Sequence, residues 1–307
     1  MSKYSNNMPP SIKDAIGWMY DDIEPGKTLL DVGCATGYFG EYIKQTKNAK
    51  VYGIEISDDR FEAEKVLDGV YSFDLDVKEW PKRIYARTYD YIFFGDILEH
   101  VKNPTEVLRK ARKLLKSEGK VFISTPNIAH ISTRLELING NFEYENMGIL
   151  DNTHLKYFTL SYLKRIVAEA GYNLNKVDYS TNDYPRAIQQ RLLKKAGLIP
   201  TDNYWKMTEK KEARAFQYKL ILTKTKNGTN AAKTKYEKIP EKPEQFRDTI
   251  LDERKEQVTL LKKHADEQAK IIEHYQYENQ ELKQQLAEAK SLTVAVSARL
   301  RRLLRRK

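Results

Sequence analysis

The chain has a single cysteine, Cys34, among 307 residues. That scarcity excludes an internal disulfide framework and a cysteine-rich zinc site, and Cys34 itself reads as a small buried thiol rather than a nucleophile. No apolar run approaches the roughly 20 residues needed to span a bilayer, and the first residues, Met1-Ser2-Lys3-Tyr4-Ser5-Asn6-Asn7, lack the apolar stretch of a signal peptide. A cytoplasmic protein is therefore expected. Basic charge is plentiful overall, at a net +10, yet residues 1–223 are almost balanced, with 33 Lys/Arg against 30 Asp/Glu. The excess sits near the far end, where residues 299–307 carry six positive charges and no acidic residue. A nucleic-acid partner is thus not expected for the larger part of the chain.

Hydrophobic residues make up 40% of the sequence, enough for a real core. After a helical stretch over 11–23, apolar runs at 28–32, 51–56, 70–75, 89–94 and 120–124 alternate with helical segments, and two late strands fall near 174–180 and 216–223. This alternation predicts an α/β fold, a Rossmann-like, doubly wound, mostly parallel sheet covered on both faces. Asn103 as N-cap with Pro104 at the first position starts a helix running to Lys116, and Thr159 or Ser161 caps another over 160–170. The polar residues 224–245, with Gly228, Pro240 and Pro243, read as a linker. From 246 to 298 a seven-residue repeat follows, with Leu251, Val258, Ala265, Ile272, Leu286 at one seam position and Leu261, Tyr275, Leu282, Val296 at the other. It predicts a C-terminal α-helical coiled coil. Asn279 in the seam, and Glu278 facing a partner's Lys283, favour a parallel homodimer. Residues 299–307 form a basic amphipathic tail suited to anionic lipid or to a partner protein such as a glycosyltransferase.

The chemistry begins where the first strand ends, at Asp31-Val32-Gly33-Cys34-Ala35-Thr36-Gly37. In an open parallel sheet the ligand sits beyond the carboxyl ends of the strands, against the helix that follows. The spacing is neither the Gly-x-Gly-x-x-Gly of dinucleotide folds nor a P-loop, and a carboxylate at Asp31 suits a cationic ligand better than a pyrophosphate. Glu55, at the end of the second strand, is placed to accept both hydroxyls of a ribose.

These residues resemble class I S-adenosylmethionine-dependent methyltransferases, over roughly 12–223. The resemblance implies that Asp31, Gly33 and Gly37 line the methionine end of the cofactor, that Glu55 holds the ribose, and that Asp74, or in competition Asp76, meets the adenine amine. Cys34 and Ala35 of the turn, with Gly95 and Asp96 after the fourth strand, complete the cofactor set. Ala35 stands where a glycine is common. In the segment Asp96-Ile97-Leu98-Glu99-His100, helical spacing would put Asp96, Glu99 and His100 on one face, able with His154 to hold a divalent cation such as magnesium. That segment looks like the one in ubiquinone-biosynthesis and small-RNA O-methyltransferases associated with metal. His130 and His154 are candidate bases for removing a hydroxyl proton, with Asp151 orienting His154. The phrases around them resemble a methyltransferase subgroup associated with bacterial surface-polysaccharide synthesis. The implied reaction is O-methylation of a sugar hydroxyl in a surface glycan or its lipid-linked precursor, at the inner face of the membrane. The alternatives are a metal-assisted methyltransferase of RNA or a quinone precursor, and a coiled-coil scaffold with a degenerate methyltransferase fold.

Overall fold

The computed structural model describes residues 12–225 and 247–304. The chain divides into two compact units, Met1–Thr234 and Lys235–Lys307. In the first, α1 (Ile12–Tyr20), β1 (Thr28–Val32), α2 (Tyr38–Lys47), β2 (Lys50–Ile54), α3 (Arg60–Val66), β3 (Gly69–Tyr71) and β4 (Tyr89–Gly95) follow one another. Next come α4 (Pro104–Leu114), β5 (Leu115–Pro126), α5 (Ile131–Ile138), α6 (Leu160–Glu169), β6 (Tyr172–Thr181), three short helices α7 (Arg186–Lys195), α8 (Asp202–Thr208) and α9 (Lys211–Arg214), and β7 (Ala215–Lys224). The seven strands form one sheet in the order β3-β2-β1-β4-β5-β7-β6, and β7 alone runs against its neighbours.

Strand alternation explains the two-sided core. Leu30, Val32, Ile92, Phe94, Val121 and Ile123 face α4 and α6, packing on Val107, Leu108, Leu163 and Ile166. Their neighbours in sequence, Leu29, Tyr91 and Phe122, face the other way onto Ile16 and Met19 of α1 and Phe39 and Ile43 of α2. Both faces are apolar because helices cover both, as expected for a parallel sheet.

Asn103 caps α4 as anticipated, its Oδ1 accepting from the Glu106 amide at 3.1 Å. Thr159, not Ser161, caps α6, and Gly171, at φ 85°, follows it in the left-handed region. Several boundaries differ from expectation: α1 ends at Tyr20, before 23, and β5 spans Leu115–Pro126 rather than 120–124. Helix α4 stops at Leu114, since Leu115 already pairs with Tyr89. Strand β3 ends at Tyr71 rather than 75, with Asp74 beyond it accepting the Asp76 amide in a side-chain turn at 2.8 Å. Helices α5 and α7 were not anticipated. Ile131 and Leu135 of α5 pack on Leu193 of α7, with Tyr204 and Met207 of α8, in a small satellite core.

In the second unit, α10 (Arg247–Leu304) is one uninterrupted helix of 58 residues. The boundary expected at 298 is therefore not a break in the helix. The anticipated linker beyond residue 225, and residues 305–307 of the basic tail, lie outside the described residues. Among the described residues no helix is long and apolar enough to cross a membrane.

Candidate active site

The carboxyl ends of β1, β2, β4 and β5 open onto a cavity of about 1120 Å³. That exceeds the upper end, roughly 1,000 Å³, of ordinary small-molecule sites. The glycine turn forms one wall. Gly33 and Gly37 adopt φ 78° and 82°. A Cβ on Gly33 would sit 2.7 Å from Ile97 Cγ1, and one on Gly37 3.0 Å from Ala63 Cα, so side chains are excluded there by both strain and space. Ala35 takes φ 46°, a left-handed conformation that costs an alanine about 1–2 kcal/mol. Glu55 holds it: one carboxylate oxygen accepts from the Ala35 amide at 2.9 Å and the other from the Ser57 amide at 2.8 Å.

Asp31 is 3% exposed. Burial, and then the nearby Glu55 charge, push its pKa up to about 8. Cys34 is buried and its thiol pKa is driven upward by burial and by Asp31, which removes it as a nucleophile.

A side pocket of about 150 Å³ shares Gly33, Glu55 and Ile97 with the main cavity and is lined further by Phe73, Asp74, Leu75 and Val101. Asp76 also borders it, but both its oxygens accept from the Lys102 amide, at 3.0 and 2.9 Å, ahead of α4. Asp76 thus serves the start of that helix, and Asp74 remains as the candidate for an exocyclic amine. The tight glycine turn, the Glu55 carboxylate beside it, an apolar side pocket with an acid, and carboxylates for cationic groups fit S-adenosylmethionine.

Glu99, His100 and His154 converge on the main cavity, offering ligand atoms within 4.8 Å of one another, and His100 also borders the side pocket. Glu99 is 1% exposed. Its Oε2 accepts from Thr125 Oγ1 at 3.0 Å, whereas Oε1 is buried without a hydrogen-bond partner. Burial and then Asp96 raise its pKa well above the ordinary value. The two imidazoles meet edge to face at 4.9 Å. His154 Nδ1 faces the Ile149 carbonyl at 3.0 Å and His100 Nδ1 the Thr153 carbonyl at 3.2 Å, so ligation or proton transfer would use Nε2 of each ring. Burial, and then His154, lower the His100 pKa. Asp151 Oδ1 shapes the loop before His154, accepting from the Thr153 amide at 2.8 Å and its hydroxyl at 2.6 Å.

Two expectations need correction. Asp96 does not join the cluster: it adopts φ 50° rather than helical geometry, and Gln217 Nε2 donates to both its oxygens at 2.7 Å. With two nitrogens and one carboxylate remaining, the donor set suits zinc, iron or manganese better than magnesium, which prefers oxygen. His130 is not at the cavity. Its Nδ1 accepts from the Ser132 amide and hydroxyl, capping α5, and Nε2 faces the Asn182 carbonyl at 3.2 Å. Both ring nitrogens are occupied, and the residue is structural.

Sequence reasoning missed Trp18 of α1 and Ser180, Phe216, Gln217 and Lys219 of β6 and β7, all of which line the cavity. The signal was present: polar Gln217 and Lys219 alternate with Tyr218 and Leu220 in a strand whose other face is fully buried.

Comparison with known proteins agrees with this architecture. Residues 4–177 match the family model described as a methyltransferase domain. The chain is 27% identical over 158 residues to a ubiquinone biosynthesis O-methyltransferase of Hydrogenovibrio crunogenus, covering 49% of this chain and 64% of that protein. It is 32% identical over 106 residues to phosphoethanolamine N-methyltransferase 1 of Triticum aestivum, covering 34% and 21%. The chain thus spans less than two thirds of either relative. A solved SAM-dependent methyltransferase from Archaeoglobus fulgidus superposes with a TM-score of 0.48 at 18% identity, over 69% of this chain and 93% of that one. Fold and turn define a class I, S-adenosylmethionine-dependent methyltransferase architecture. The chain belongs to the methyltransferase-domain family.

Proposed function

We propose that the chain transfers a methyl group from S-adenosylmethionine to a hydroxyl of a sugar, carried on a surface glycan or its lipid-linked precursor. The observation that supports this is the part of the cavity wall where Ser124, Thr153, Ser180 and Gln217 supply hydrogen-bonding groups beside the aromatic Phe216. Such a wall suits a polyhydroxylated ring better than an apolar one. His154 Nε2 takes the hydroxyl proton as the oxygen–carbon bond forms and the carbon–sulfur bond breaks, leaving a neutral thioether. His100, kept neutral by burial, stands beside it.

A second reading, metal-assisted methylation of a quinone precursor or an RNA, is favoured by one observation: the unpartnered, buried Glu99 Oε1 beside two imidazoles. A divalent cation held by Glu99, His100 and His154 would polarise the acceptor hydroxyl there. Methyl transfer onto lipid-linked oligosaccharides, simple glycosides, quinone precursors and RNA, each with and without chelator, separates the two. Transfer to glycosides that survives chelation supports the first reading. Chelator-sensitive transfer to a quinone precursor or RNA alone overturns it. An absence of S-adenosylhomocysteine binding would leave a scaffold with a degenerate fold.

The long helix supports assembly. Val258, Leu261, Ile272, Tyr275, Leu282 and Leu286 each expose half or more of their surface along its seam. Pairing with a second copy would bury them, with Asn279 fixing register. At 1.5 Å per residue the helix is about 87 Å long, and residues 299–307 would meet an anionic membrane surface or a glycosyltransferase. Sedimentation equilibrium of the chain with and without residues 246–307 tests the pairing: a dimer that becomes a monomer is expected, and an unchanged mass refutes it.

A further inference from the structure

Seven carboxylates line the main cavity, but among the described residues only one lysine and no arginine do. That lysine, Lys219, lies on β7. Its register partner in β5 is Ser124, and Ser124 in turn pairs with Gly95 of β4. Gly95 is one residue beyond Phe94, which pairs with Val32, so the same transverse row of the sheet ends at Gly33 of the turn. With strands about 4.8 Å apart, Lys219 is two strands, about 10 Å, from Gly95. The row runs from the glycine turn through Gly95 and Ser124 to the lysine, three strand spacings or about 14 Å.

Lys219 is half-buried, and its ammonium makes no hydrogen bond and no ion pair with any described residue. Asp178 and Asp96 act on it only at longer range, while burial pulls its pKa down. A partly desolvated ammonium without an acceptor is unfavourable until an anion arrives. The cofactor has two cationic groups, its sulfonium and its ammonium, for which the cavity's acids are abundant. It has one anionic group, the carboxylate of its methionine part, for which the cavity has one candidate cation.

We propose that Lys219 binds the carboxylate of the cofactor's methionine part. The assignment rests on reading the cavity as the S-adenosylmethionine site. An anionic acceptor is the rival use of the same charge.

The test compares the full chain with Lys219→Met and Lys219→Arg by titration calorimetry against two probes. S-adenosylhomocysteine carries the amino-acid end, whereas 5′-methylthioadenosine has the same nucleoside and thioether without it. Lys219→Met should weaken S-adenosylhomocysteine roughly ten- to a hundredfold, the size of one charge-assisted hydrogen bond. It should leave 5′-methylthioadenosine unchanged, which also reports that the variant is folded. Lys219→Arg should keep most of the affinity. Unchanged S-adenosylhomocysteine binding in Lys219→Met overturns the assignment and gives the lysine to an acceptor anion, and equal loss of both probes overturns it as a structural effect. A wild-type chain that binds neither probe overturns the cofactor reading itself, an outcome distinct from the other two.

Discussion

Cofactor affinity should climb steeply with pH because of Asp31. Burial and the Glu55 charge lift its pKa from 3.8 to about 8, so the unliganded fold favours the protonated acid. In the unfolded chain the same carboxyl ionises near 3.8, so Asp31 contributes stability that is fully present below that value and is lost as pH rises through about 8. A cationic ligand reverses the preference, since the ammonium of S-adenosylhomocysteine pairs with the ionised form. With a pKa of about 8, roughly 1% of molecules have ionised Asp31 at pH 6 and about half at pH 8. If only the ionised form binds, affinity rises by up to about 50-fold across that interval, or about 2.3 kcal/mol at 1.36 kcal/mol per tenfold change. Calorimetry at pH 6, 7 and 8, in buffers of different ionisation heat, reads both the affinity and the proton released. Asp31→Asn isolates the contribution: its affinity should be nearly flat with pH. At pH 8.5 without ligand, the Asn variant should also melt above the wild type, with the gap closing toward pH 5. Equal affinity at pH 6 and 8, or a slope preserved in Asp31→Asn, would refute the reasoning.

Three further outcomes follow from the geometry. Gly33→Ala forces a Cβ to 2.7 Å from Ile97 Cγ1, and closer still to its Cδ1, at φ 78° and should cost about 1–3 kcal/mol of stability with weakened S-adenosylhomocysteine binding, read by thermal melting and calorimetry. His130→Ala should lose a helix cap, about 1 kcal/mol, without changing cofactor affinity, whereas His154→Ala should lower methyl transfer roughly 10²–10⁴-fold at near-constant stability; equal turnover in the two variants contradicts the base assignment. Asn127→Ala should destabilise the fold by roughly 2–4 kcal/mol in denaturant unfolding. Its amide donates to the Glu212 and Ala215 carbonyls at 3.0 and 2.7 Å and accepts from Tyr218 Oη at 2.7 Å, tying β5 to β7 in a fully buried setting.

The strand pattern and the cofactor end of the site were legible in the sequence because both are local. A strand buried on two faces is a short apolar run, and the Asp31–Gly37 turn carries its geometry in its own glycines. Asp31 is the penultimate residue of β1, Glu55 lies one residue past β2 and Asp74 three past β3, so their rough alignment follows from the parallel order. The tertiary structure alone decided the rest. Spacing put Asp96 with Glu99 and His100, but a positive φ and Gln217, 121 residues away, draw it off, while the loop holding His154 supplies the third donor. His130 and His154 look alike along the chain. The cap of α5 and the Asn182 carbonyl, 52 residues away, take one, while the Ile149 carbonyl holds the other at the cavity. Lys219 gains its meaning only when β7 inserts antiparallel beside β5, because strand order places that charge in the same row as the glycine turn.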